Sequence, residues 1–88
     1  MICNRNVDRK KVDWIPSHVV WTEDFDMVIE SDVDVVVELV GGMHPAVDWI
    51  LAALTAGKAV VTANKQVIAE HGSTLIRQSV KEGRPLLF

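Results

Sequence analysis

The sequence is most informative at first for what it lacks. It has one cysteine in 88 residues, so no internal disulfide can form. No metal-ligand spacing surrounds Cys3, and a bare thiol fits a reducing compartment. There is no Gly-x-Gly-x-x-Gly, no Gly-x-Ser-x-Gly and no Walker motif, which excludes the usual phosphate turns and the serine nucleophile elbow from these residues. His18, His44 and His71 have neither a carboxylate nor a second ligand at metal spacing, so no metal site is expected. Uncharged stretches such as Leu39 to Val47 fall far short of the ~20 apolar residues a membrane span needs. The N-terminus carries no apolar signal run, and a cytoplasmic location without a membrane partner is expected. Positive charge is also scarce. The formal net charge is −3, and the only basic run is Arg9-Lys10-Lys11, too little to neutralise a phosphate backbone, so nucleic acid is not expected as a partner. The length itself leaves room for one small core and excludes a complete dinucleotide-binding domain with a substrate domain attached.

What is present is a chain that should fold. Hydrophobic residues make up 49% and charged residues 24%, ordinary proportions for a globular protein. Valine occurs fifteen times against five aromatics, a bias suited to strands buried in a parallel sheet. Met1 to Cys3 reads as the end of a strand, too short to stand alone, entering a polar loop from Asn4 to Lys11. His18 to Trp21 is β-prone. Thr22 is a candidate N-cap for a short helix with Phe25, Val28 and Ile29 on one side, ending near Ser31-Asp32. Val35 to Val40 is the clearest strand, stopped by Gly41-Gly42. From Pro45, Ala46, Trp49, Ile50, Ala53 and Leu54 recur at helical spacing until Gly57. Ala59 to Thr62 is a further strand. A helix then presents Val67, Ile68, His71, Leu75, Ile76 and Val80, with Gly72 as a weak point and Gly83 as terminator, before another strand opens at Arg84 to Phe88. Regular β-α-β alternation implies parallel strands of the doubly wound α/β class.

Ligands of open α/β sheets bind beyond the carboxyl ends of the strands, so the strand-to-loop junctions are where chemistry is sought. At the first, Asn4-Arg5-Asn6, the arginine suits a 2′-phosphate if this strand faces an adenosine ribose; otherwise it is a solvated loop residue. At the second, Gly41-Gly42 lets a ligand approach the backbone, with the N–H groups of a helix N-terminus behind, or forms only a tight turn. Glu38 there is either a functional carboxylate or a strand residue that reaches solvent at the sheet's edge, and His44 is a candidate to line the cleft. At the third, Thr62-Ala63-Asn64-Lys65, a lysine opens a helix. A cation there opposes the helix dipole, and this local cost makes Lys65 the strongest chemical candidate beside the plainer reading of a surface lysine.

The ordered series Asp34-Val35-Val36-Val37-Glu38-Leu39-Val40-Gly41-Gly42, Pro45-Ala46, Ala53-Leu54, Gly57-Lys58 and Val60-Val61-Thr62-Ala63-Asn64-Lys65 resembles homoserine dehydrogenase. The likeness is detailed from Val33 to Ala69 and holds in outline elsewhere. Related cofactor domains of aspartate and sugar dehydrogenases share Ala-Leu-x-x-Gly-Lys, but the sugar enzymes typically follow it with Glu-Lys-Pro. The resemblance implies an NADP- or NAD-dependent interconversion of L-homoserine and L-aspartate 4-semialdehyde, in threonine, methionine and isoleucine biosynthesis. It implies cofactor contacts from Arg5, from Val40, Gly41 and Gly42, and from Thr62, Ala63, Asn64 and Lys65. It also implies that Lys65 is catalytic, beside nicotinamide and substrate. The family's domain begins with a strand, a Gly-x-Gly-x-x-Gly turn and a helix that this sequence does not show. The expected fold is therefore an incomplete doubly wound parallel sheet, Rossmann-like, lacking its first β-α unit. The resemblance implies that residues 1–88 are part of an NAD(P)-binding domain, with the substrate and dimerisation domain expected to be absent from them. Such a chain is expected to lack turnover alone and to self-associate through exposed strand edges, or to form a homo-oligomer. The competing expectation is a non-catalytic half-Rossmann module for nucleotide binding or association.

Overall fold

The computed structural model describes residues 1–10 and 12–88. Lys11, in the basic run and the polar loop, lies outside the described residues. The chain divides into two compact units, Met1–Ser31 and Asp32–Phe88.

In the first unit, β1 (Ile2–Cys3) pairs in parallel with β2 (Trp21–Thr22), Ile2 opposite Trp21 and Cys3 opposite Thr22. The opening stub is thus a strand in its own right. Two backbone bonds extend the pairing, from Ile2 N–H to the Val20 carbonyl (2.8 Å) and from Asn4 N–H to the Thr22 carbonyl (3.0 Å). The stretch after it is not all loop. A single helical turn, α1 (Val7–Lys10), forms there, and its Val7 N–H donates to Glu23 Oε2 at 3.0 Å. A helix of one turn has little intrinsic stability, and this contact from sixteen residues away fixes it where local pattern cannot show it. α2 (Phe25–Glu30) is capped by Asp24, whose carboxylate accepts from Asp26 N–H at 3.0 Å. Thr22, the expected cap, instead ends the strand with its hydroxyl accepting from Asp24 N–H at 3.0 Å. Burial pushes the Cys3 thiol above its ordinary pKa, with a smaller contribution from the Asp24 carboxylate. The thiolate is disfavoured, consistent with an inert strand residue.

In the second unit, β3 (Val35–Glu38), β4 (Ala59–Thr62) and β5 (Leu86–Leu87) form an all-parallel sheet in that order. Residues 35–38 lie opposite 59–62, and Val60 and Val61 lie opposite Leu86 and Leu87. α3 (Ala46–Thr55) and α4 (Lys65–Glu82) pack on each other, α3 against β3 and β4 and α4 against β5. Ile50 and Leu54 of α3, Val60 of β4, and Val67 and Leu75 of α4 are the largest fully buried side chains. Strand alternation turns Val36, Glu38, Val60 and Thr62 to one face and Val35, Val37, Val61 and Leu87 to the other. Val35, Val37 and Leu87 on that second face remain exposed. Both helices end as their glycines predict: Gly57 follows α3 with φ +82°, and Gly83 caps α4 with φ +64°. Lys58, buried at the start of β4, donates from Nζ to the Val33 carbonyl at 2.9 Å.

Candidate functional site

The carboxyl ends of β3 and β4 lie side by side because Glu38 and Thr62 are in register. β3 stops at Glu38, two residues short of the apolar run, because that carboxylate turns the chain. Oε2 accepts from Val40 N–H at 2.7 Å and Gly41 N–H at 3.3 Å, while Oε1 accepts from the Thr62 hydroxyl at 2.6 Å. Glu38 is 4% exposed, so the expectation that it reaches solvent is wrong. The sequence does hold a signal for the inward orientation. Alternation places Glu38 on the same face as Val36, and a carboxylate two and three residues before backbone N–H groups of a glycine turn is placed to accept from them.

The turn after β4 is built on the same hydrogen bonds. The Thr62 hydroxyl accepts from Asn64 N–H at 3.0 Å. Asn64 is the N-cap of α4: its Oδ1 accepts from Val67 N–H at 3.1 Å, and its Nδ2 donates to the Gly42 carbonyl at 2.6 Å. Of the residues expected to contact a cofactor, the structure thus brings Val40, Gly41, Gly42, Thr62, Ala63, Asn64 and Lys65 together. It divides their work differently from the sequence reading. The polar atoms of the buried Thr62 and Asn64 side chains are engaged within the protein, whereas Val40, Gly41, Gly42, Ala63 and Lys65 are exposed.

Gly41 and Gly42 hold φ of +80° and +72°, and a Cβ at either would meet nothing within 4 Å. Glycine is needed there for backbone conformation, and open space lies beside both. The helix behind them is less suited to an anion than the sequence suggested. Glu38 already takes the Val40 and Gly41 N–H groups, Pro45 is the N-cap with no N–H of its own, and Asp48 occupies the first turn. His44 has the carboxylate neighbour that the sequence reading did not give it, with Nδ1 at 3.5 Å from Asp48 Oδ2 in an exposed i,i+4 pair. Among the described residues no group of three or more His, Cys, Asp and Glu side chains could hold a metal ion.

Lys65 opens α4, in a first turn without a carboxylate. Beside it is a cavity of about 380 Å³, lined by Thr62 to Lys65, by Ile68 and Ala69 one turn on, and by Phe88. A cation at the rim of a largely apolar cavity can hold an oxygen that carries or develops negative charge. Arg5 belongs to the first unit. It is exposed just beyond β1, in a turn where Asn4 Oδ1 accepts both Arg5 N–H (2.8 Å) and Lys10 Nζ (2.8 Å). Lys10 therefore adds a second cation to that turn, a contribution that Asn4 makes visible only in three dimensions.

An all-parallel α/β layer, with a glycine turn and a capped helix meeting at the carboxyl ends of adjacent strands, defines the dinucleotide-binding class. The family model described as homoserine dehydrogenase, NAD binding domain, matches residues 1–88, and the chain belongs to that family. Homoserine dehydrogenase of Bacillus subtilis is 34% identical over 84 residues, covering 96% of this chain and 19% of the relative. That of Corynebacterium glutamicum is 51% identical over 55 residues, 61% of this chain and 12% of the relative. Among solved structures, homoserine dehydrogenase from Thiobacillus denitrificans matches with a TM-score of 0.86 at 31% identity, covering 98% of this chain and 20% of that one. The S. aureus enzyme at pH 7.0 matches with a TM-score of 0.80 at 38% identity, covering 90% and 20%. The chain spans about a fifth of the length of the B. subtilis relative and of both structures. Its parallel strands, in two small sheets among the described residues, agree with a partial Rossmann-like fold. No helix among the described residues is long and apolar enough to cross a membrane.

Proposed function

We propose that residues 1–88 serve as part of the NAD(P)-binding domain of an enzyme interconverting L-homoserine and L-aspartate 4-semialdehyde, with the substrate and dimerisation domain lying outside these residues. One observation carries the reading: the 2.6 Å bond from Asn64 Nδ2 to the Gly42 carbonyl joins the two turns, so an open glycine surface and an exposed lysine share one end of the sheet. The nicotinamide, when bound, supplies the hydride chemistry. The protein's part is to hold and to move protons. Lys65 extends its ammonium toward the reacting oxygen and assists proton transfer there. Gly41 and Gly42 let a ring or ribose lie close to the backbone, and the turn from Thr62 to Asn64 shapes the neighbouring wall. Arg5, with Lys10 in the same turn, reads a 2′-phosphate and favours NADP over NAD. In this reading the enzyme works in the cytoplasm, in threonine, methionine and isoleucine biosynthesis, and the 88 residues alone give no turnover.

Titration of NADPH and NADH into the purified chain, followed by nicotinamide fluorescence, tests the binding part of the proposal. Saturable binding with NADPH tighter than NADH is expected, and no binding of either sinks it. A homoserine oxidation assay on the same sample is expected to read zero; measurable turnover would overturn the claim that essential groups lie elsewhere. The exposed Val35, Val37 and Leu87 favour a second reading, a half-Rossmann module that self-associates through its sheet. Association without nucleotide binding in the same titration selects it.

A further inference from the structure

We propose that Glu38 is a positioning residue for the dinucleotide surface, a buried carboxylate that holds the glycine turn from beneath and locks it to the turn that carries Lys65. The inference rests on the nucleotide-binding reading and goes beyond it, because Glu38 is buried with both oxygens engaged within the protein and acts through Val40, Gly41 and Thr62.

A carboxylate as buried as Glu38 is costly unless its oxygens are hydrogen-bonded. Among the described residues no cation pairs with it. Three donors satisfy it instead: the Val40 and Gly41 N–H groups on Oε2 and the Thr62 hydroxyl on Oε1. An apolar side chain in this place would fill the space and leave all three donors without their acceptor. The hydrogen bonds then continue in a ring. Thr62 accepts from Asn64 N–H, and Asn64 Nδ2 returns to the Gly42 carbonyl, next to the Gly41 N–H where the ring began. Each turn is thus held by the other. The two residues that most need such restraint are Gly41 and Gly42, which lack a Cβ and have open space beside them. Because the two N–H groups point down to Glu38, the turn offers a ligand its Cα surface rather than an anion-binding nest, and its shape depends on the carboxylate below.

The test uses the 88-residue chain, with NADPH as probe, and combines fluorescence titration with amide hydrogen exchange read by NMR. In Glu38→Ala, NADPH binding should weaken roughly tenfold or more, since hydrogen bonds to a charged acceptor are lost. Exchange at Val40 and Gly41 should accelerate while Leu54 and Val60 in the core keep their protection. Glu38→Gln retains a carbonyl oxygen for both amides and should restore most of the affinity. Should the alanine variant fail to fold, Thr62→Val removes the other side of the lock and is expected to weaken NADPH binding with the core amides unchanged. Parent-like affinity in Glu38→Ala, or in Thr62→Val, overturns the proposal. So does a core that loosens as much as the turn, which marks a purely structural role. A parent chain that does not bind NADPH refutes the nucleotide reading itself, and the exchange data, which need no ligand, keep that failure distinct from failure of the lock.

Discussion

Lys65 and Arg5 place cations at the carboxyl ends of two strands, and their predicted losses differ. In the complete enzyme that the proposed function requires, Lys65→Ala should lower kcat/KM for homoserine by roughly 10²–10⁴-fold, the usual range for a positioned proton-transfer group. Steady-state kinetics at saturating cofactor measure this, and a near-parent value would remove Lys65 from the chemistry. Arg5→Ala should weaken NADP relative to NAD by roughly tenfold, the value of a charge-assisted contact to phosphate. Equal losses for the two cofactors would show that Arg5 does not read the phosphate. Lys65 stands out in the sequence because a lysine at a helix start runs against the dipole, and it is the first residue of α4. Glu38 was read less well. Its residue type suggested solvent or catalysis, whereas its oxygens are consumed by two backbone amides and a hydroxyl twenty-four residues away. Spacing along the chain points to the two amides, but only the register of β3 with β4 brings the Thr62 hydroxyl to it.

At the scale of elements, the helices and strands of the second unit follow their local signals closely. The valine run, the periodicity after Pro45 and the glycines at 57 and 83 yielded β3, α3 and both helix ends. α4 runs through Gly72 without a break. A Cβ there would lie 3.6 Å from Ile68 Cγ2, an ordinary contact, so Gly72→Ala should stabilise the chain by about 0.5–1 kcal/mol by restricting the unfolded state. A urea or thermal midpoint that fell would reveal a close approach of α3 and α4 that glycine alone permits. The misread elements are those whose partners are distant. The strand β1 is only two residues long and is defined by β2 beside it, α1 depends on Glu23, and the cap of α2 moved from Thr22 to Asp24 because the Thr22 hydroxyl accepts from Asp24 N–H.

At the scale of the molecule, the parallel strands among the described residues form two small sheets, and β3 is paired there with β4 alone. Val37 on it is 59% exposed, and an edge with exposed apolar side chains invites pairing with another chain. Val37→Lys should therefore shift the chain toward monomer in sedimentation equilibrium while changing its stability by no more than about 0.5 kcal/mol. An unchanged mass distribution would exclude this strand as the contact. The sequence by itself determined the α/β class, the parallel strands, the helix ends of the second unit and the family, because these rest on periodicity, on glycine's access to positive φ, and on an ordered series of residues. Only the tertiary structure decided which polar groups are spent inside the protein and which face a ligand. That division depends on strand register, since setting Glu38 opposite Thr62 and Asn64 beside Gly42 brings together groups that the chain keeps more than twenty residues apart.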